Sequence, residues 1–169
     1  MPVTQAFLAE FETEAKTTRR VLERVPADKL AWKPHPKSMS LGTLAWHVAT
    51  TPGVICGWAK EEVTELGGRP EVNPTSTEEI VAAHDKSVTV VREVMAGLSD
   101  EDVRKVWQGK PKGSPTPIMS SPKVELLRVL ALNHTYHHRG QLSVYLRLLG
   151  VPVPSIYGPS ADENPFAKA

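Results

Sequence analysis

Apolar residues recur at spacings of three and four along most of this chain, and that period predicts helices. In the first helix, from about Thr4 to Val25, the stripe is Phe7, Phe11, Ala15, Thr18, Leu22 and Val25. Charged residues such as Glu10, Glu12, Lys16, Arg20 and Glu23 fill its other faces as a solvated surface. Pro26 stops it, and residues 26–40, with Pro34, Pro36 and Ser38, read as a loop. Ser40 caps a second helix with Leu41, Leu44 and Val48 on its apolar face. Pro52 falls inside that pattern and cannot donate to the Val48 carbonyl, so a kink or break is expected within a turn of His47. The pattern resumes through Trp58 and Val63 to a stop at Gly67-Gly68.

A polar connection over 69–76 leads to Ser76-Thr77-Glu78-Glu79, a capping box with Ser76 as cap. The third helix buries Ile80, His84, Ser87, Val91, Val94 and Leu98. Ser99-Asp100-Glu101-Asp102 starts a short helix that ends near Trp107. Residues 108–121, with Pro111, Pro115 and Pro117, read as a long crossover loop. Ser121-Pro122 opens the last helix with proline at the favoured first position, and Gly150 ends it after Leu149. That is about 28 residues, or roughly 42 Å. An extended proline-rich tail follows from Val151. The expected fold is all-α: a single domain over 1–169, four principal helices in a bundle, one short extra helix, and no strand.

Composition narrows the functions. The formal net charge is +1, so neither a large nucleic-acid surface nor an anionic-membrane surface is expected. Cys56 is the only cysteine and allows no intrachain disulfide, which fits a reducing, cytoplasmic setting. The first residues have no apolar core of a signal peptide, and no run approaches a transmembrane span.

Candidate chemistry concentrates in Asn133-His134-Thr135-Tyr136-His137-His138-Arg139-Gly140-Gln141. His134 and His138 are one helical turn apart on one face, where two imidazoles can close on one divalent metal. His137 can also share a face with His134, and geometry prefers His138 only weakly. On a stripe of Leu127, Leu130, His134, His138, Gln141 and Tyr145, the histidines interrupt a core-facing row. Buried imidazole nitrogens need partners, and a metal supplies one. His47, on the edge of the second helix's apolar face, is the leading third ligand. His84 reads as a fourth ligand, an acid or base beside the site, or a packed core histidine. His35, between two prolines, reads as surface. Cys56 reads as a small core residue. Trp46 and Trp58 read as core or interface, with pocket lining as the alternative. Arg139 reads as a surface ion-pair partner or a carboxylate holder for a substrate. The chain has no His-Glu-x-x-His, no Glu-x-x-His, no P-loop, no dinucleotide fingerprint and no Cys-x-x-Cys. A mononuclear three-histidine site passes that screen.

Several stretches resemble the DinB-like family of damage-inducible proteins. Leu41-Gly42-Thr43-Leu44-Ala45-Trp46-His47 is similar to its first ligand motif. His134-Thr135-Tyr136-His137-His138-Arg139-Gly140-Gln141 is similar to its second, in which the histidine directly before Arg-Gly-Gln is a ligand; that selects His138 over His137. The loop from Trp32 to Ser40 and the tail from Gly150 to Glu163 also look like family members. The resemblance implies an up-down-down-up bundle, one divalent metal per chain held by His47, His134 and His138, and a homodimer. Zinc is the default ion for imidazole ligands, with nickel, iron and manganese as alternatives. Relatives in that family include metal-dependent thiol transferases. The reading that follows is a metal-dependent transferase joining a low-molecular-weight thiol to a small electrophile. The alternative is a stress-related protein that binds metal or a small molecule without turnover.

Overall fold

The computed structural model describes residues 1–67 and 72–167. Four principal helices form, each where the apolar period placed one. Helix α1 spans Val3–Leu22 and buries Phe11, Ala15, Thr18 and Leu22 from the expected stripe. Helix α2 spans Leu41–Trp58, capped by the Ser40 side chain, which accepts from the Thr43 N–H at 3.1 Å. Helix α3 spans Thr77–Gly97 and buries Ile80, His84, Ser87, Val91 and Val94. Ser76 caps it as expected, but Glu79 reaches back to the Thr75 N–H at 2.7 Å rather than to the cap residue.

Pro52 does not end α2, which runs on to Trp58. The lost donor at Pro52 is followed by a diverted one, since the Gly53 N–H donates to Ser87 Oγ of α3 at 2.8 Å. The space there is closed: a Cβ on Gly53 would lie 2.8 Å from Ser87 Oγ. Glycine at this position lets α2 and α3 touch at backbone distance.

The all-α expectation is wrong in one region. Among the described residues, β1 (Val63–Leu66), β2 (Val106–Pro111) and β3 (Met119–Pro122) form a three-stranded sheet in the order β1-β2-β3. β1 lies parallel to β2 with Val63 beside Gln108, and β2 is antiparallel to β3 with Trp107 beside Ser121. The second helix therefore stops at Trp58 and not at Gly67-Gly68; Gly68 and part of the 69–76 connection lie outside the described residues. The 108–121 loop is largely a hairpin. The short helix before Trp107 shrinks to a 3₁₀ turn at Asp102–Arg104, and Trp107 itself sits in β2. The indole of Trp107 is fully buried, stacks on Trp58 at 5.8 Å between ring centroids, and donates to Thr64 Oγ1 at 2.9 Å. That burial ties the sheet to the helices.

The last helix, α4, starts one residue after Pro122, runs as α-helix over Lys123–Leu126, widens to a π segment over Leu127–Asn133, and returns to α-helix over His134–Leu148. The wide turn shifts the register. The core row is Leu127, Ala131, Thr135, Arg139, Leu142 and Leu146, one position off the expected stripe. His134 and His138 are thereby half-buried at the edge of the core row, not within it.

The helices pack around two apolar clusters. One contains Phe11, Ile55, Val91, Trp107 and Leu127. The other contains Leu22, Leu44, Ile80, Leu142 and Leu146. Between them each helix contributes buried polar groups: Thr18 from α1, Thr51 from α2, His84 and Ser87 from α3, and Thr135 and Arg139 from α4. A polar waist thus divides the core in the same stretch of the helices that carries the three candidate ligands. No helix among the described residues is long and apolar enough to cross a membrane.

Candidate metal centre

His47 of α2 meets His134 and His138 of α4 across the line where the two helices pack. Nε2 of His47 lies 2.8 Å from Nε2 of His134. The ring centroids of His138 lie 4.5 Å from His47 and 4.4 Å from His134. One ligand nitrogen from each of the three falls within 4.8 Å of the others. The expected triad is therefore assembled, and all three rings are half-buried, with part of each open to solvent.

Two nitrogen lone pairs do not face each other at 2.8 Å without a proton or cation between them. The donor set suits a divalent metal: three neutral imidazoles at one point are a common ligand set for zinc-like ions. Ligand nitrogens around such an ion stand about 3.3 Å apart, so His47 and His134 would separate by a few tenths of an ångström to hold one. Histidine side chains at the edge of the core have that freedom.

The outer nitrogens support the same reading. Nδ1 of His138 lies 2.6 Å from Oε1 of Gln141, so Nδ1–H donates and Nε2 is left bare toward the triad. On His47, Nδ1 lies 3.4 Å from Thr51 Oγ1, whose own hydroxyl donates to the His47 carbonyl at 2.6 Å. Thr51 therefore accepts from Nδ1–H, and His47 also presents Nε2. Burial, followed by His138 and His137, lowers the pKa of His134. Burial is the main cause for His138 too, with His137 adding to it against the Gln141 hydrogen bond. The neutral form, the one that ligates, is favoured at both.

Gln141 and Thr51 have roles that sequence reasoning did not assign. Their signal was spacing: Gln141 is three residues past His138, and Thr51 is four past His47, each on its ligand's own face.

The other expectations separate. His137 is exposed and stands edge-on to His138 at 4.9 Å, outside the triad. His35 is exposed in the first loop, where its Nδ1 accepts the Lys37 N–H at 3.2 Å. His84 is not one of the three grouped histidines: it is 2% exposed, with Nε2 3.1 Å from the Ala15 carbonyl. Cys56 is buried, and burial pushes its thiol up to about 12. Trp46 lines a groove between α2 and α3 of about 520 Å³ that includes none of the three ligands.

Arg139 is the clearest correction. It is neither a surface residue nor open to a substrate. It is 1% exposed, and its guanidinium pairs with Glu14 at 2.7 Å and donates to Thr18 Oγ1 at 3.0 Å and Tyr157 Oη at 2.6 Å. The rings of Tyr136 and Tyr157 lie 5.4 and 5.1 Å from it. It joins α1, α4 and the tail.

Comparison with known proteins agrees with this architecture. The protein YrdA of Bacillus subtilis strain 168 is 28% identical over 163 residues, covering 93% of this chain and 89% of its own. YjoA of the same organism is 23% identical over 147 residues, covering 85% and 88%. Among solved structures, a DinB-like protein from Bacillus cereus ATCC 10987 superposes with a TM-score of 0.72 at 28% identity, over 90% of this chain and 97% of that one. The DinB-like YjoA structure superposes with a TM-score of 0.65 at 18% identity, over 87% and 96%. The DinB family model matches residues 1–165, and the chain belongs to the DinB family.

Proposed function

We propose that His47, His134 and His138 hold one divalent metal ion, zinc by default, and that the protein transfers a low-molecular-weight thiol to a small electrophile. The observation that carries the reading is the triad: three imidazoles within 4.8 Å, each half-buried, with the outer nitrogens of two held by Gln141 and Thr51. A divalent ion bound there would lower the pKa of a thiol or water brought to it and so supply the nucleophile at neutral pH. The residues of this chain do the rest. Gln141 and Thr51 keep the protons on Nδ1, and the open edges of the rings leave room for a ligand from solvent. Cys56 does not serve as the nucleophile, because it is buried with its thiol pushed up to about 12. The thiol therefore comes from a cosubstrate. Its proton passes to solvent, its sulfur bonds to the electrophilic carbon, and the leaving group departs with the bonding electron pair.

The chain is read as one domain over 1–169, with its helices running up-down-down-up. The order of the two apolar clusters along each helix supports that topology: α1 and α4 pass from the first to the second, and α2 and α3 from the second to the first.

The test has two stages. Metal content is measured on protein purified without an affinity tag, for the wild type and each histidine variant. The metal-loaded protein, with chelated protein as control, is then assayed with bacillithiol, mycothiol, glutathione and cysteine against several electrophiles. Metal-dependent turnover lost in His138→Ala supports the reading. Bound metal without turnover across the panel, and without any thiol-induced change in the spectrum of a cobalt-substituted site, replaces it with the non-catalytic binding protein.

A further inference from the structure

One atom of the polar waist is left unanswered. His84 is 2% exposed, and its Nδ1 has no hydrogen-bond partner among the described residues. The other ring nitrogen is committed. Nε2 lies 3.1 Å from the Ala15 carbonyl, and a carbonyl only accepts, so Nε2 carries the proton. Burial is the main influence on this ring and favours its neutral form. Nδ1 is then a bare lone pair, and a buried acceptor calls for a donor. The Ala49 carbonyl also acts on the ring, but it has no proton to give.

The space beside His84 suits a donor that is not part of the chain. Thr18 of α1, Pro52 of α2, His84 of α3 and Thr135 of α4, all buried, line a small cavity between the helices. Its volume is about 10 Å³, the size that admits a single water molecule. The two threonines face it in opposite states. Thr135 Oγ1 donates its proton to the Ala131 carbonyl at 2.8 Å, so toward the cavity it can only accept. Thr18 Oγ1 accepts from Arg139 Nη1 at 3.0 Å. Thr13 and Thr17 of the same helix donate to the carbonyl four residues back, but the Thr18 proton finds no acceptor among the described residues. The cavity therefore gathers two acceptors and one spare O–H. A water molecule, with two protons and open lone pairs, complements that set with three hydrogen bonds, the usual number for a buried water.

We infer that this cavity binds one water molecule, which donates to His84 Nδ1 and Thr135 Oγ1 and accepts from Thr18 Oγ1. The water ties α1, α3 and α4 together at the waist. Through Thr18 it also connects the His84 ring to the Arg139 clamp. The inference stands apart from the metal reading, because the cavity includes none of the three candidate ligands.

Nuclear magnetic resonance on the full chain tests it. Nitrogen-15 spectra should show His84 protonated at Nε2 and bare at Nδ1. The methyl groups of Thr18 and Thr135 should give cross-peaks to a long-lived water. Thr135→Val replaces the accepting hydroxyl with a methyl group. In that variant the water cross-peak at Thr18 should vanish, and the His84 Nδ1 resonance should shift as it loses its donor. Thr135→Ser keeps the hydroxyl and should keep the Thr18 cross-peak. Circular dichroism and unchanged metal content confirm that each variant folds; if Thr135→Val does not fold, the wild-type tautomer and cross-peaks decide alone. A proton on His84 Nδ1, donated to the Ala49 carbonyl, overturns the inference. So does a folded wild type with no long-lived water at Thr18, or a water that persists in Thr135→Val beside an unshifted Nδ1.

Discussion

Nδ1 of His138 sits 2.6 Å from Oε1 of Gln141, and this contact turns the other nitrogen toward His47 and His134. An outer hydrogen bond of this kind fixes the tautomer and raises ligand basicity. Gln141→Ala should therefore lower metal affinity about 10–100-fold while leaving the fold intact, because Gln141 is exposed. Competition with a chromophoric chelator measures it. Equal affinity in the variant and the wild type would remove Gln141 from the site.

Alanine at His47, His134 or His138 should each reduce the bound metal well below one per chain. His35→Ala and His84→Ala should not, since neither side chain joins the triad. Elemental analysis by mass spectrometry is the readout. Full occupancy in all three ligand variants would reject the site.

Acid should release the metal. Burial and the neighbouring histidines push His134 and His138 below the free imidazole value, so protons compete less well for them than for free imidazole. Apparent affinity should fall as pH drops below about 6. Affinity that holds constant down to about pH 5 would count against imidazole ligation.

His84 carries a second pH dependence, on stability. Burial lowers its pKa, so the unfolded chain binds the proton more tightly than the folded one. Its contribution is complete above about pH 6.5 and is lost as pH falls below that toward the depressed value. Between about pH 7.5 and about pH 5 the wild type should lose more stability than His84→Gln in urea melts. Parallel curves would show that His84 does not titrate in this way.

Arg139 is a buried charge with one carboxylate partner, Glu14, which is itself 15% exposed in its side chain. Removing one member of such a pair costs about 3–5 kcal/mol, so Arg139→Met should lower stability on that scale. Arg139→Lys should rescue little, since a single ammonium cannot reach Glu14, Thr18 and Tyr157 together. A denaturant midpoint close to the wild type in Arg139→Met would contradict the clamp.

Much of this architecture is legible in the sequence, and the failures have physical causes. The four helices show because their apolar stripes are long enough to carry a period. His47 shows because it sits at the edge of such a stripe. The sheet does not show: its strands have four to six residues, and two of them contain proline. What fixes them is a pairing between Val63 and Gln108 far along the chain and the burial of Trp107. The row on α4 is misread by one position because no residue there announces a π turn. That slip hides Arg139, which then reads as surface although it lies in the core row. The ligand pair survives the slip because His134 and His138 both lie beyond the wide turn and keep their mutual spacing.

The ion pairs of α1 set an order of assembly. Arg128 and Tyr136 reach Glu10 across 118 and 126 residues, Arg139 reaches Glu14 across 125, and Glu163 reaches Arg20 across 143. Contacts so distant in sequence close late, because the loop they bridge must first be paid for in entropy. During synthesis Glu10, Glu14 and Arg20 therefore wait for the last helix and the tail, whereas Arg19 and Glu12 already find Asp85 and Arg92 on α3. Until then α1 presents Phe7 and Phe11 with nothing to cover them from α4. The nascent chain is most exposed to aggregation and proteolysis over that interval, and a product shortened before Lys123, where α4 begins, would never leave it.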